Sequence, residues 1–361
     1  MMRTIRFSIL LVSIVLWTQN ALGQCLEVVA ELSQGPGNIA VTPDRRLIVS
    51  EHSLFFPNYR VIEVLTDGTT KPFPNEQWAT PPDKDGIGLT SVIGIQSDLK
   101  GIIWMIDNGN DFSRIVAWDS KQNKLHKIID VSKPGRVYNS FFNDLALDPV
   151  HNKIYISDVA HPKNTALVVV DIDTGKSRRV LEGHSSIAPE PLPIKIGDKI
   201  MAVDDKGKGK PSIGADPITI DPKSEWVYYG ASQSTSLWRI RTADLANENL
   251  TDIQLAARIE RYGDRPVCDG ITVDGSGNVY ITDLTNYAIG VVEPSGKYRI
   301  LHQDKKRLSW PDGMSFGPDG YIYVVANQLH LSMVFNMGKD LSKPPYYLLR
   351  FKASAKGTVG R

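Results

Sequence analysis

The sequence predicts an all-β fold, a six-bladed β-propeller with its last blade closed by the N-terminal strand. Three observations predict it. A hairpin pattern recurs six times along the 361 residues, a further strand motif follows each hairpin in step, and the two chain ends carry complementary pieces of one blade. The hairpins read IAVTPDRRLIVS from Ile39, IGIQSDLKGIIWMID from Ile93, LALDPVHNKIYISD from Leu145, ITIDPKSEWVYYG from Ile218, ITVDGSGNVYITD from Ile271 and MSFGPDGYIYVVAN from Met314. In each, apolar positions alternate on both sides of a turn rich in Asp, Gly, Pro or Asn, as an antiparallel hairpin requires.

The apolar residues just before the turns, Val41, Ile95, Leu147, Ile220, Val273 and Phe316, are 54, 52, 73, 53 and 43 residues apart. Third strands follow at Val61–Leu65, Ile115–Trp118, Leu167–Val170, Leu237–Ile240, Ile289–Val292 and Tyr347–Phe351. After most of these come another turn and a fourth strand, as at Asp171–Gly175 and Glu293–Gly296. Four strands repeated at about 50 residues make a propeller blade. The sixth copy lacks a fourth strand after Phe351, and the spare strand Cys25–Leu32 precedes the first copy. Joining the two removes an open sheet edge.

Two segments depart from the period. The gap of 73 residues carries roughly 20 extra residues beyond the ordinary blade period. It includes the Pro-rich Ala188–Pro193 and the basic run Lys206–Lys210, read as a solvated loop. Within Thr242–Gly263, Leu245, Leu250, Ile253, Ala256 and Ile259 recur at near-helical spacing and predict a helical excursion packed outside blade four.

Targeting and composition bound the function. Arg3 and Arg6, the apolar run Phe7–Trp17 and the small residues of Ala21-Leu22-Gly23 make a cleaved secretory signal over residues 1–23, leaving 24–361 as one propeller domain. The product is expected to be secreted, extracellular or periplasmic, with no membrane span, and monomeric. Loss of the two arginines takes the formal net charge from +1 to −1. That balance argues against nucleic acid, whose binding needs clustered positive charge. Cys25 and Cys268 fall on different blades, which disfavours a bridge without settling it. There is no GxSxG, HExxH, P-loop or dinucleotide motif, and Asp274–Asn278 reads as a turn rather than a calcium loop.

Registering the hairpins concentrates polar residues at one mouth of the central channel. Four residues before each turn-flanking residue stand Gly37, Ser91, Asn143, Asp216, Asp269 and Asp312. The ends of the second strands bring Glu51, Asp107 with Asn108, Asp158, Gly230, Asp283 and Asn327 to the same edge. Each such residue alone reads as a strand cap. Together, Asn108, Asn143, Asp158, Asp216, Asp269, Asp283, Asp312 and Asn327 predict an oxygen-rich site for a small polar or amine-bearing molecule, because like charges around one channel repel unless compensated.

The segments Asn143–Leu147 with Tyr155–Asp158, Cys268–Ile271, Trp310–Met314 and Val325–His330 resemble the Yellow/major royal jelly protein family. The closing Lys343–Phe351 is similar to its microbial branch. The resemblance covers nearly all of the chain after residue 23 and implies a secreted six-bladed propeller. Family members include amine-binding proteins that hold the ligand at one end of the channel, which implies an amine contact for Asn327, and proteins credited with dopachrome conversion. The alternative is a gluconolactonase-like hydrolase, in which channel Asn and Asp residues hold a divalent cation that polarises a lactone carbonyl. Asn143, Asp216 and Asp269 are the candidate ligands for such a cation, calcium being the one expected. Gly37-Asn38 supplies no acid and blade two offers only Ser91, although Glu51 and Asp107 could reach inward. Whether the chain is an enzyme stays open at this point.

Overall fold

In the computed structural model the residues described are 25–201 and 211–361, so the signal segment and the basic run Lys206–Lys210 lie outside them. Six four-stranded antiparallel sheets are arranged around one axis. Their innermost strands are Pro36–Val41, Val92–Ser97, Phe142–Asp148, Ala215–Ile220, Cys268–Val273 and Pro311–Phe316, each packed against the next and the sixth against the first. The remaining strands of each blade follow outward in sequence order. Blade six is the exception, because its outermost strand is Glu27–Leu32 paired antiparallel with Tyr346–Lys352. The predicted closure is therefore the observed one.

The core lies between blades rather than within them. Val41, Val49 and Ile62 of blade one pack with Tyr323, Val325 and Leu348 of blade six, and comparable groups join the other neighbours. Alternation makes this possible: one face of each sheet meets the blade before it and the other face meets the blade after it.

Every inner strand carries a β-bulge at the same height. Pro36 pairs with Glu51 and Ile39 with Val49, so three steps on one strand oppose two on the other. The same skip falls at Val92/Ile95, Phe142/Leu145, Ala215/Ile218, Cys268/Ile271 and Pro311/Met314. This corrects the register of blade two. Ile95 pairs like Ile39, so the channel position expected at Ser91 is held by Ile93. In blades four and six the second-strand partners are Ala231 and Ala326, one residue from the Gly230 and Asn327 expected.

The excursion in blade four is two one-turn helices, Thr242–Ala246 and Asp252–Ala256, the second opened by a Thr251/Gln254 capping box. Leu245 and Leu255 are buried, whereas Ile253 is 84% exposed, so the apolar stripe is not continuous. Between blades three and four the insertion folds back as a short hairpin, Lys195–Ile196 with Lys199–Ile200. Among the described residues no helix is long and apolar enough to cross a membrane.

Candidate functional site: the acidic channel

The bulge decides which side chains reach the channel. It places two successive residues per blade at the unpaired height: Gly37-Asn38, Ile93-Gly94, Asn143-Asp144, Asp216-Pro217, Asp269-Gly270 and Asp312-Gly313. Asn38 and Asp144 therefore join Asn143, Asp216, Asp269 and Asp312, although strict alternation sends them to the opposite face. The four carboxylates are between 4% and 9% exposed. Blade two contributes Ile93 and Gly94 and no polar side chain, and Asn38 of blade one reaches across to blade three, its amide donating to Asp144 Oδ1 at 2.7 Å.

The ring is held by neutral donors. Asn143 donates through Nδ2 to Asp216 Oδ1. The Trp310 indole donates to Asp269 Oδ2 at 2.5 Å, and Asn327 donates to Asp312 Oδ2 at 2.7 Å and to the Pro36 carbonyl at 2.9 Å. Arg265 is the one basic side chain, among the described residues, whose charge offsets a ring carboxylate, Asp216. Its guanidinium nitrogens Nη1 and Nη2 are spent on the carbonyls of Ser234, Pro266 and Ala231. Asn143 Oδ1 is buried with no hydrogen-bond donor.

Burial without a cationic partner raises the affinity of all four carboxyls for protons. Asp144 is pushed up to about 7 by burial and by the charge of Asp269, against the Asn38 amide. Asp269 is pushed up to about 6 by burial, opposed by the Trp310 indole. Asp216 and Asp312 are driven well above the ordinary carboxylate range, first by burial and then by the other ring carboxylates. Glu51, at the second-strand end of blade one, is pushed up to about 7 by burial, with Arg60 opposing.

The remaining expected site residues have their polar atoms engaged in the fold. Asp158 accepts from Ser140 Oγ at 2.6 Å, Phe141 N at 2.8 Å and Arg179 Nη1 at 2.5 Å. Asp283 accepts from Asn286 N at 3.0 Å, Asn286 Nδ2 at 2.6 Å and the Tyr298 hydroxyl at 2.7 Å. Asn108 clamps blades two and three, donating to the Phe142 carbonyl at 2.8 Å and accepting from Phe142 N at 3.3 Å. Asp107 takes Thr90 N, Ser91 N and Arg114 Nε at 2.7, 3.0 and 2.9 Å. Asp107 and Asp158 tie down the loop that leads into the inner strand of their own blade, whereas Asp283 holds the turn that follows its own strand and the Tyr298 hydroxyl. Asn327 both ties blade six to blade one and touches the ring. Arg179→Ala strands the buried Asp158 carboxylate and is expected to cost about 3–5 kcal/mol, read as a lower denaturant midpoint.

Two features of the site were invisible to pattern reading. The hairpin of the insertion forms a roof, where Ile194, Ile196 and Met201 pack with Val267, Leu284, Trp310 and Leu329 from the same face of blades five and six. Trp310 in turn lies stacked with His330, ring centroids 6.1 Å apart and planes 11° apart, and with Phe335 at 6.3 Å. An apolar aromatic group thus sits beside the carboxylate of Asp269.

Free cysteines complete the picture: Cys25 is exposed, Cys268 is buried, and burial pushes the Cys268 thiol up to about 12. Asp274 caps its own turn through Ser276 N, Asn278 N and the Tyr280 hydroxyl at 2.9, 3.0 and 3.0 Å, as a turn residue should.

Fold and site together define a six-bladed β-propeller with a buried acidic channel. The model of the family described as major royal jelly protein matches residues 90–359, and the chain belongs to that family. No sequence among the curated proteins matches it. Similar solved structures include a luciferin-regenerating enzyme, 14% identical with a TM-score of 0.59, covering 94% of this chain and 98% of that one. Regucalcin, a calcium-binding protein from Agrobacterium tumefaciens, is 12% identical with a TM-score of 0.57 over 94% of this chain and 98% of its own. Virginiamycin B lyase from Staphylococcus aureus is 16% identical with a TM-score of 0.52, covering 91% and 98%. At such identities the likeness is one of fold.

Proposed function

We propose that the chain is an exported protein that binds a small cationic, amine-bearing molecule in the acidic channel. The observation that carries this is the ring itself: four buried carboxylates with a single offset guanidinium, beside a buried amide oxygen that has no donor. An ammonium group has three donors and no acceptor, the complement of Asp216, Asp269 and Asn143 Oδ1. The aromatic group around Trp310 offers an apolar neighbour for the rest of such a molecule. Family membership agrees with this reading.

The test is a thermal-shift and calorimetric screen of primary amines, catecholamines included, on the wild type and on Asp216→Asn. A bound amine is expected to raise stability by about 2.7 kcal/mol at 100 times its Kd. Asp216→Asn is expected to weaken it at least tenfold. Absence of binding by any amine would sink the proposal.

A second reading rests on the same unpartnered oxygen. Asn143 Oδ1, Asp216 and Asp269 are hard oxygen donors of the kind calcium takes; regucalcin carries the name of a calcium-binding protein, and a further similar structure, 16% identical with a TM-score of 0.52 over 93% of this chain and 94% of its own, carries that of a gluconolactonase. The fit is incomplete. Among the described residues no three His, Cys, Asp or Glu side chains are grouped to hold a metal ion. A divalent ion would supply Lewis acidity toward a lactone carbonyl. Stoichiometric calcium uptake without amine binding would favour this reading, and lactones would be its substrates.

A further inference from the structure

We infer that residues 353–361 form a removable plug across the far mouth of the channel, so that the acidic ring sits in a cup with one entrance. The segment leaves blade six after Lys352 and first touches blade five, where Ser354 N–H donates to the Tyr280 hydroxyl at 2.7 Å and Gly275 N–H to the Lys356 carbonyl at 2.7 Å. It then pairs with Phe316 of blade six, which accepts from Gly360 N–H at 2.9 Å and donates to the Arg361 carbonyl at 2.8 Å. Ser97 N–H of blade two donates to the Gly360 carbonyl at 3.2 Å, and Arg361 Nη1 donates to the Asp221 carbonyl of blade four at 2.9 Å. In a six-membered ring blade two stands opposite blade five. A chain bonded to the inner-strand ends of both has crossed the axis.

The crossing lies at the end remote from the carboxylates. Ser97, Asp221, Asp274 and Phe316 stand where inner strands end, whereas the bulges stand where they begin; a strand of this length spans roughly 20 Å. Between ring and plug lies a cavity of about 20 Å³, lined by Asn38 and Asp144 of the ring, by Thr219 near the end of the blade-four inner strand, and by Gly360 and Arg361 of the plug. That is room for one water. The fit is close: Gly360 has φ +88°, and a Cβ there would lie 2.3 Å from the Ser97 carbonyl oxygen. Only Gly adopts such a backbone readily.

Removability follows from the topology. Blade six takes its fourth strand from Glu27–Leu32, so all six sheets are complete without the plug. The segment adds two isolated bridges, Asp274 to Gly357 and Phe316 to Val359. Local contacts of this kind open at lower free energy than the sheets they lie on.

The test needs no knowledge of the ligand. Thr219→Cys is made in a Cys25→Ser background, and iodoacetamide labelling of the introduced thiol is followed with the buried Cys268 as an internal control. In the full chain the introduced thiol is expected to react roughly 100-fold more slowly than in denaturant, and Gly360→Val or a stop after Ala353 is expected to speed it at least ~10-fold while Cys268 stays inert. Rapid labelling of the introduced thiol in the full chain would overturn the plug. So would an unchanged rate in both variants. Joint exposure of Cys268 in both would overturn removability, by showing that the segment belongs to the cooperative fold.

Discussion

Asp144→Asn is expected to leave stability unchanged below pH 4 and to raise it above neutrality, with melting temperature or denaturant midpoint as the readout. Burial and the charge of Asp269 lift this carboxyl from 3.8 to about 7, so the folded chain holds its proton where the unfolded chain has lost it. Between these values the native state binds more protons than the unfolded state, and stability falls as pH rises. Wild type therefore loses this contribution progressively from about pH 4 to about pH 7, and the penalty is complete above 7. A rise of that size corresponds to a ceiling of about 4 kcal/mol at ~1.4 kcal/mol per pKa unit. Asparagine carries no charge yet keeps an oxygen for the Asn38 amide, which isolates the electrostatic part.

The difference between variant and wild type is the quantity to measure. His52 and His330, held neutral and pushed down to about 4 by burial, act in the opposite sense. A histidine that charges more readily when unfolded takes stability away as pH falls from about 6.5 toward 4. The wild-type profile sums both trends, while subtraction leaves Asp144 and the relief it gives its neighbours. A pH-independent difference would show that the ring is already compensated. The same substitution is expected to weaken cation binding, the usual conflict between a charged site and the stability of its scaffold.

Gly94→Ala is the second large effect. A Cβ at position 94 would lie 2.1 Å from the Asn143 carbonyl oxygen, and the obstacle is backbone rather than a side chain that can turn away. The inner strands of blades two and three must separate to admit it. Overpacking of this kind costs about 1–3 kcal/mol, and the rigid neighbour places Gly94 at the upper end. Because Asn143 moves with that strand, amine affinity is expected to fall together with stability. Gly270 faces the Asp312 carbonyl oxygen at 2.4 Å in the same way, whereas a Cβ at Gly313 first meets the Asn38 side chain, so Gly270 is the equivalent check elsewhere in the ring and Gly313 the one where a side chain can give. Unchanged melting temperatures in all three would contradict the close approach of the inner strands.

Much of this was legible in the sequence because the information is local. Alternating apolar residues and turn-forming Asp, Gly and Asn specify a hairpin within a dozen neighbours, and six such hairpins count the blades. The missing fourth strand after Phe351 and the spare one before Ser33 identified the closure in the same way. Asp216, Asp269 and Asp312 were found because they begin inner strands.

What pattern reading could not reach depends on contacts far apart along the chain. Asn38 and Asp144 enter the ring only through a bulge, and one unpaired residue reverses the face of every side chain up to it. The same bulge pairing showed that Ile93, not Ser91, faces the channel in blade two. Asp158 and Asp283 look like Asp216 in sequence, and only the donors brought to them from neighbouring segments distinguish a strand cap from a channel residue. The roof over Trp310 and the plug beneath the ring are built from an insertion and a tail with no repeat pattern of their own. Local chemistry thus determined strands, turns and blade number, since those energies are settled between near neighbours. Tertiary structure decided which polar groups share the channel and what packs over its two faces, since burial and charge at that axis are sums over all six blades.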